Sequence, residues 1–198
     1  MPEVPGTGAL KEKRRYTIED YKSWPDDERW ELIDGVPYDM SPAPRVPHQD
    51  KTGNLFNKLY NFLEGKPCKV YIAPLDVYLK SENQGDDEKN TVVQPDVLVV
   101  CNPSIVEEDG AHGAPDFVAE VLSDSTANKD FSVKRDLYER NGVKEYWLIQ
   151  PDTCTVFQYI RDGEKLDGDR FAPIREFRRG EAVESALFPG FIWDCSKD

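Results

Sequence analysis

Two acidic side chains interrupt apolar runs in this chain. Glu120 stands inside Phe117-Val118-Ala119-Glu120-Val121-Leu122, and Asp96 follows Pro95 at the head of Val97-Leu98-Val99-Val100. Both runs read as buried β-strands; Pro115 precedes the second, and the polar Ser123-Asp124-Ser125-Thr126 follows it. Taking an unpaired ionised carboxylate out of water costs several kcal/mol even after relaxation, so a cation, a metal ion, a proton or water must compensate each one. Along a strand, alternate residues share a face: Asp96 lies with Leu98 and Val100, and Glu120 with Val118 and Leu122. Side by side, such strands bring the two carboxylates to one place. A hard divalent cation such as Mg²⁺, which chooses oxygen ligands, is then the natural compensator. Lys134 and Tyr138, four apart, share one face of the helix expected next, with Phe131 on nearly the same stripe. A lysine there reaches toward a sheet carboxylate, where it can orient an attacking water or stabilise charge on a phosphate. Asp130, one turn earlier, either orients Lys134 or is a solvated first-turn acid.

The elements that must position these groups are legible in outline. Thr17, with Asp20 three residues later, caps a short helix that stops at Pro25. Asp34-Gly35 between Glu31-Leu32-Ile33 and Val36 is a hairpin signal. From His48 to Glu64, Leu55, Phe56, Leu59, Phe62 and Leu63 recur at helical spacing, and Gly65 marks the end. "CKVYIAPLDVYLK" reads as a strand or a bent strand pair, "SENQGDDEKN" as an acidic loop, and "TVVQPDVLVVC" as a strand with an irregular entry at Pro95. "NPSIVEEDGAHGAP" reads as a loop with room for turn structure. After the Glu120 strand come a helix ending at Gly142, the strands "KEYWLIQ" and "TCTVFQYIR" around Pro151-Asp152, a further strand in "RFAPIREF", and the closing "LFPGFIWD". This order predicts an α/β (α+β) fold with one central mixed sheet flanked by helices and additional antiparallel strands. Phe188, Phe191 and Trp193 either close the core or form a dimer contact.

The 198 residues suit one domain over residues 16–198, preceded by a flexible tail over 1–15 whose Lys11, Lys13, Arg14 and Arg15 read as solvated charge, the alternative being a nucleic-acid arm. A net charge of −13 repels polyanions at long range and counts against a tight non-specific DNA binder. It is compatible with a nuclease whose acidic cluster is screened by bound cations. Cys68, Cys101, Cys154 and Cys195 form no CxxC pair, so no zinc site of the usual spacing is visible, and free thiols in a cytoplasmic protein are expected. No apolar run approaches the roughly 20 residues that span a bilayer, and the polar, Pro-rich start does not read as a signal peptide. The chain carries no GxSxG, P-loop or HExxH motif.

The segments "ELIDGVPYDMSP", "QPDVLVV", "VAEVLSDST", "KRDLYERNGVKEYWLI" and "LFPGFIWD" resemble the Uma2 family of restriction-endonuclease-like proteins, within the PD-(D/E)XK nuclease superfamily, from about Tyr16 to Asp194. The resemblance implies a restriction-endonuclease-like fold and Mg²⁺- or Mn²⁺-dependent hydrolysis of DNA phosphodiester bonds. Asp96 matches the motif aspartate and Glu120 its D/E position. The superfamily's lysine lies two residues after that acid, where this chain has Leu122; Lys134 on the next helix matches the displaced lysine of the family. Glu31 matches an early acidic residue that completes the metal shell with Asp96 and Glu120. His48 matches a histidine at the start of the second helix, which either only begins that helix or joins the site. A homodimer or higher homo-oligomer is expected. The competing reading is a non-catalytic, homo-oligomeric binding domain that retains the nuclease fold; the acidic charge and Leu122 favour it, whereas the presence of Glu31, Asp96, Glu120 and Lys134 together favours catalysis.

Overall fold

The computed structural model describes residues 15–25, 28–40, 43–80, 90–123, 127–161 and 170–197. The expected flexible tail, apart from Arg15, and nearly all of the acidic loop after Lys80 lie outside the described residues.

Helix α1 (Ile18–Lys22) starts at Thr17, whose hydroxyl accepts from the Asp20 N–H while the Asp20 carboxylate accepts from the Thr17 N–H. This reciprocal cap satisfies two otherwise orphaned donors. Strands β1 (Trp30–Ile33) and β2 (Val36–Asp39) form the expected hairpin. Asp34 and Gly35 both have positive φ, 51° and 75°, as a turn matched to strand twist requires. Helix α2 (Val46–Leu63) buries His48, Thr52, Leu55, Leu59 and Leu63, a single stripe at helical spacing. His48 therefore continues inward-facing the row that anchors the helix.

Strands β3 (Lys69–Ile72) and β4 (Val77–Leu79) are the bent pair, separated by a cis Ala73–Pro74 bond. β5 (Thr91–Val93) and β6 (Val97–Val100) come from the run expected to be one strand. Pro95 divides it, because proline cannot donate to a ladder, and the halves enter different sheets. After the small hairpin β7 (Val106–Glu107) and β8 (Gly110–Ala111) comes β9 (Phe117–Val121), which holds Glu120. The helical segment that follows has three parts: α3 (Ala127–Lys129), a π turn (Asp130–Lys134) and α4 (Arg135–Asn141), closed by left-handed Gly142. Then come β10 (Glu145–Gln150), β11 (Thr155–Ile160), β12 (Arg175–Phe177), β13 (Val183–Glu184) and β14 (Ile192–Trp193).

The central mixed sheet has the order β12-β11-β10-β9-β6-β3, with β9 and β10 parallel and the other pairs antiparallel. The additional strands build a second six-stranded sheet, β2-β1-β5-β4-β8-β7, and β13 pairs with β14. Parallel neighbours need a crossover, and the segment from α3 to α4 provides it between β9 and β10. One face of the central sheet packs Phe117, Ala119, Val121 and Trp147 against Leu55 and Leu59 of α2. Phe188, Phe191 and Trp193 are buried on the same face and close the core. The other face packs Leu98, Val118, Leu122 and Leu148 against Leu137 and Tyr138 of α4 and Val77 and Leu79 of the second sheet.

The expectation of four free thiols is corrected: Cys68 and Cys101 form a disulfide, while Cys154 and Cys195 are free and buried. Lys69 pairs with Val100 across β3 and β6, so Cys68 and Cys101 are opposite one position further out. The Ala73 N–H donates to the Asp96 carbonyl, which puts the cysteine pair at a non-hydrogen-bonded position of the ladder, where side chains approach most closely. Their 33-residue separation hid the pairing from spacing arguments. Among the described residues, no helix is long and apolar enough to cross a membrane.

Candidate active site

The β6–β9 register decides where the two strand carboxylates meet. Val97 faces Ala119, so Asp96 and Glu120, one step outward on each strand, face each other at the end of the ladder. Asp96 Oδ2 accepts from the Val121 N–H at 2.8 Å and lies 3.1 Å from His48 Nε2. On its other side the imidazole is 3.4 Å from the Thr52 hydroxyl, one turn along α2. Asp96 keeps partial contact with solvent, whereas Glu120 is buried.

Lys134 reaches the sheet from the crossover. Its Nζ lies 2.8 Å from Glu120 Oε1, 2.7 Å from Glu31 Oε1 and 3.7 Å from Asp130 Oδ1. The Tyr138 hydroxyl donates to the same Glu120 oxygen at 2.8 Å, so the expected shared face of Lys134 and Tyr138 is directed at Glu120. The Tyr146 hydroxyl donates to the Asp130 carbonyl and ties the π turn to the sheet. Glu31 enters from β1. It accepts from Lys134 and the Gln94 N–H on Oε1, and from Lys129 on Oε2 at 2.6 Å. Gln94 is held in turn by its side-chain amide, which donates to Asp76 at 2.8 Å, and by Arg29, which donates to its carbonyl oxygen. Sequence reasoning missed Lys129, the Gln94 amide and the π turn; no local pattern announces them.

The charge states follow from this packing. Burial pushes the Glu120 carboxyl up to about 8, since the opposing pull of Lys134 is partly cancelled by Asp130, Asp96 and Glu31. Burial acts the same way on Glu31, but Lys134 and Lys129 outweigh it and hold that group below the usual carboxylate range. Desolvation disfavours the Lys134 ammonium, yet Glu120, Glu31 and Asp130 keep it protonated well above its ordinary range. Burial, followed by the charge of Glu120, raises Tyr138 well above the usual phenol value. Lys134 is thus a fixed cation and not a base, and Glu120 is the carboxylate whose anion lacks full compensation.

Glu31, Glu120 and Lys134 share direct contacts; Asp96 adjoins them across the β6–β9 ladder, and His48 adjoins Asp96. A cleft beside His48 is lined by Arg45, Pro47, Leu122, Ser123 and Gln150. Among the described residues, the one trio of carboxylate and imidazole groups with ligand atoms within 4.8 Å of one another is Glu107, Asp109 and His112, on the small hairpin. There Lys22 and His112 both bind Asp109. Glu31, Asp96 and Glu120 are not drawn together so tightly, because Lys134 stands between Glu31 and Glu120.

Residues 18–196 match the Uma2 family, described as "Putative restriction endonuclease". Among solved structures, the chain is similar to one described as "a putative nuclease belonging to DUF820 from Anabaena variabilis ATCC 29413". That likeness has a TM-score of 0.67 at 19% identity and covers 87% of this chain and 90% of that one, so it shows the fold. No curated protein matches.

Proposed function

We propose, from the premise that this chain belongs to the Uma2 family, that it is a divalent-metal-dependent endonuclease hydrolysing phosphodiester bonds in DNA. The observation that carries this reading is the facing pair Asp96 and Glu120 with the Lys134 ammonium 2.8 Å from Glu120. The donor set fits Mg²⁺ or Mn²⁺: two hard carboxylates at the end of one ladder, one of them partly open to solvent, the other destabilised as a free anion by burial and neighbouring charge. Glu31 fits a ligand role less well, since both its oxygens already accept from cations, and in this reading it serves the lysines. When bound, the metal would polarise the scissile phosphate and lower the pKa of an attacking water.

The chain's own residues supply the rest. Lys134, locked as a cation between Glu31 and Glu120, orients the Glu120 carboxylate, places positive charge beside the site and does not accept the water's proton. Tyr138 fixes the Glu120 oxygen that Lys134 also holds, so the carboxylate keeps one orientation. His48, anchored on the buried stripe of α2, orients Asp96 and is the imidazole nearest the opening.

Supercoiled plasmid incubated with the protein and Mn²⁺ or Mg²⁺ tests this. Nicking that requires the metal, stops with EDTA, and is lost in both Asp96→Ala and Glu120→Ala is expected. Intact plasmid under all metal conditions, or nicking that survives both substitutions, overturns the reading.

A further inference from the structure

We propose that Lys129 is the cation that receives the substrate's phosphate, held ready by Glu31; this rests on the nuclease reading above. The two ammonium groups on Glu31 have different surroundings. Lys134 is enclosed by Glu31, Glu120 and Asp130, with 4% of its side chain exposed. Lys129 has Glu31 as its carboxylate partner, at 2.6 Å, with 12% exposed, and its Nζ lies 5.4 Å from the Tyr38 ring centroid. An ammonium has three N–H donors, so a single carboxylate bond leaves Lys129 with capacity for a phosphate oxygen.

The π turn explains how both lysines reach one carboxylate. Residues five apart diverge around an α-helix, but the i→i+5 bonding of a π turn returns them to the same side. Lys129 precedes that turn and Lys134 ends it. Glu31 takes one lysine on each oxygen, and the Gln94 N–H fixes the carboxylate from the sheet side. Electrostatics requires such a group. Four acidic side chains, Glu31, Asp96, Glu120 and Asp130, line the site, and a chain of net charge −13 repels DNA at long range. Of the two lysines bound to Glu31, Lys129 is the more accessible.

The test compares wild type, Lys129→Met and Lys129→Arg. Binding of a fluorescent duplex is measured in EDTA across a range of salt, cleavage is measured in Mn²⁺, and thermal melting checks the fold. Loss of one phosphate contact lowers the salt slope by about one, because each neutralised phosphate of B-DNA contributes about 0.9. The expected result is that slope loss in Lys129→Met, a cleavage rate reduced tenfold or more, an unchanged Mn²⁺-induced melting shift, and a slope restored by arginine. If the methionine variant does not fold, Lys129→Gln makes the same comparison. DNA binding by wild type with an unchanged slope in the variant overturns this inference alone, even if the rate falls, since Lys129 would then act without touching phosphate. A wild type that neither binds nor cleaves DNA removes the nuclease reading and this inference with it.

Discussion

Glu120 and Glu145 lie on the neighbouring strands β9 and β10 of one sheet, and both are sealed from solvent, yet their surroundings are opposite. Glu145 faces the side packed by α2 and the C-terminal segment. It accepts from Trp147 Nε1, Gln158 Nε2 and the Ser185 hydroxyl, each at 2.7 Å, and from the Leu187 and Ala186 N–H groups at 2.9 and 3.3 Å. All five donors are neutral and belong to the folded frame. Glu120 instead shares one ammonium with two other carboxylates and faces a fourth acid. Burial alone therefore does not mark chemistry. A carboxylate saturated by neutral dipoles is a structural joint, whereas one that competes with other acids for a cation holds charge that a ligand can still change.

Exchanging the two groups for amides should separate these roles. Glu120→Gln is expected to lower Mn²⁺-dependent plasmid cleavage by about a thousandfold, or about 4 kcal/mol of transition-state stabilisation, without unfolding the protein. A variant that retains a tenth of the wild-type rate would erase the distinction. Glu145→Gln should act the other way. It places an amide donor among donors and costs about 2–4 kcal/mol of stability, read by urea unfolding, while cleavage per folded molecule is unchanged.

The pH dependence sharpens the comparison further. The folded-state value of Glu120, about 8, is above its ordinary 4.5, so the metal-free fold binds this proton more tightly than the unfolded chain does. The stability this adds is fully present below about pH 4.5 and is lost as the pH rises through about 8. Glu31 has the opposite sign, contributing above its usual range and losing that contribution on acidification, but it is common to wild type and Glu120→Gln. In EDTA, the stability of Glu120→Gln relative to wild type should therefore increase from pH 6 to pH 9. Parallel curves would show that the Glu120 carboxylate is fully compensated in the fold. The smallest effect is expected for Tyr138→Phe, which removes one donor to Glu120 and costs about 1 kcal/mol, with a modest loss of rate and no change in oligomeric state by light scattering.

Much of the frame was legible in local pattern. The Thr17–Asp20 cap, the Asp34-Gly35 turn, the α2 stripe and the Gly142 stop each depend on residues within a few positions of one another, where backbone sterics and periodicity act directly. The same period placed Asp96 and Glu120 among apolar neighbours, and the resemblance carried by "VAEVLSDST" and "LYERNGVKEYWLI" identified the family. What stayed hidden depends on register and topology. Pro95 looked like an irregular entry into one strand; it divides two strands between two sheets, and that change of sheet brings the Gln94 amide to Glu31.

The sequence by itself determined most of the strand and helix runs and set Asp96 and Glu120 among apolar neighbours, because hydrophobic periodicity acts on every chain that bears these residues. Only the tertiary structure decided that Lys129 joins Lys134 on Glu31, that Cys68 meets Cys101, and that Glu145 is satisfied without any cation. Each of these depends on groups brought together by strand order, and strand order is a property of the assembled sheets that spacing along the chain does not carry.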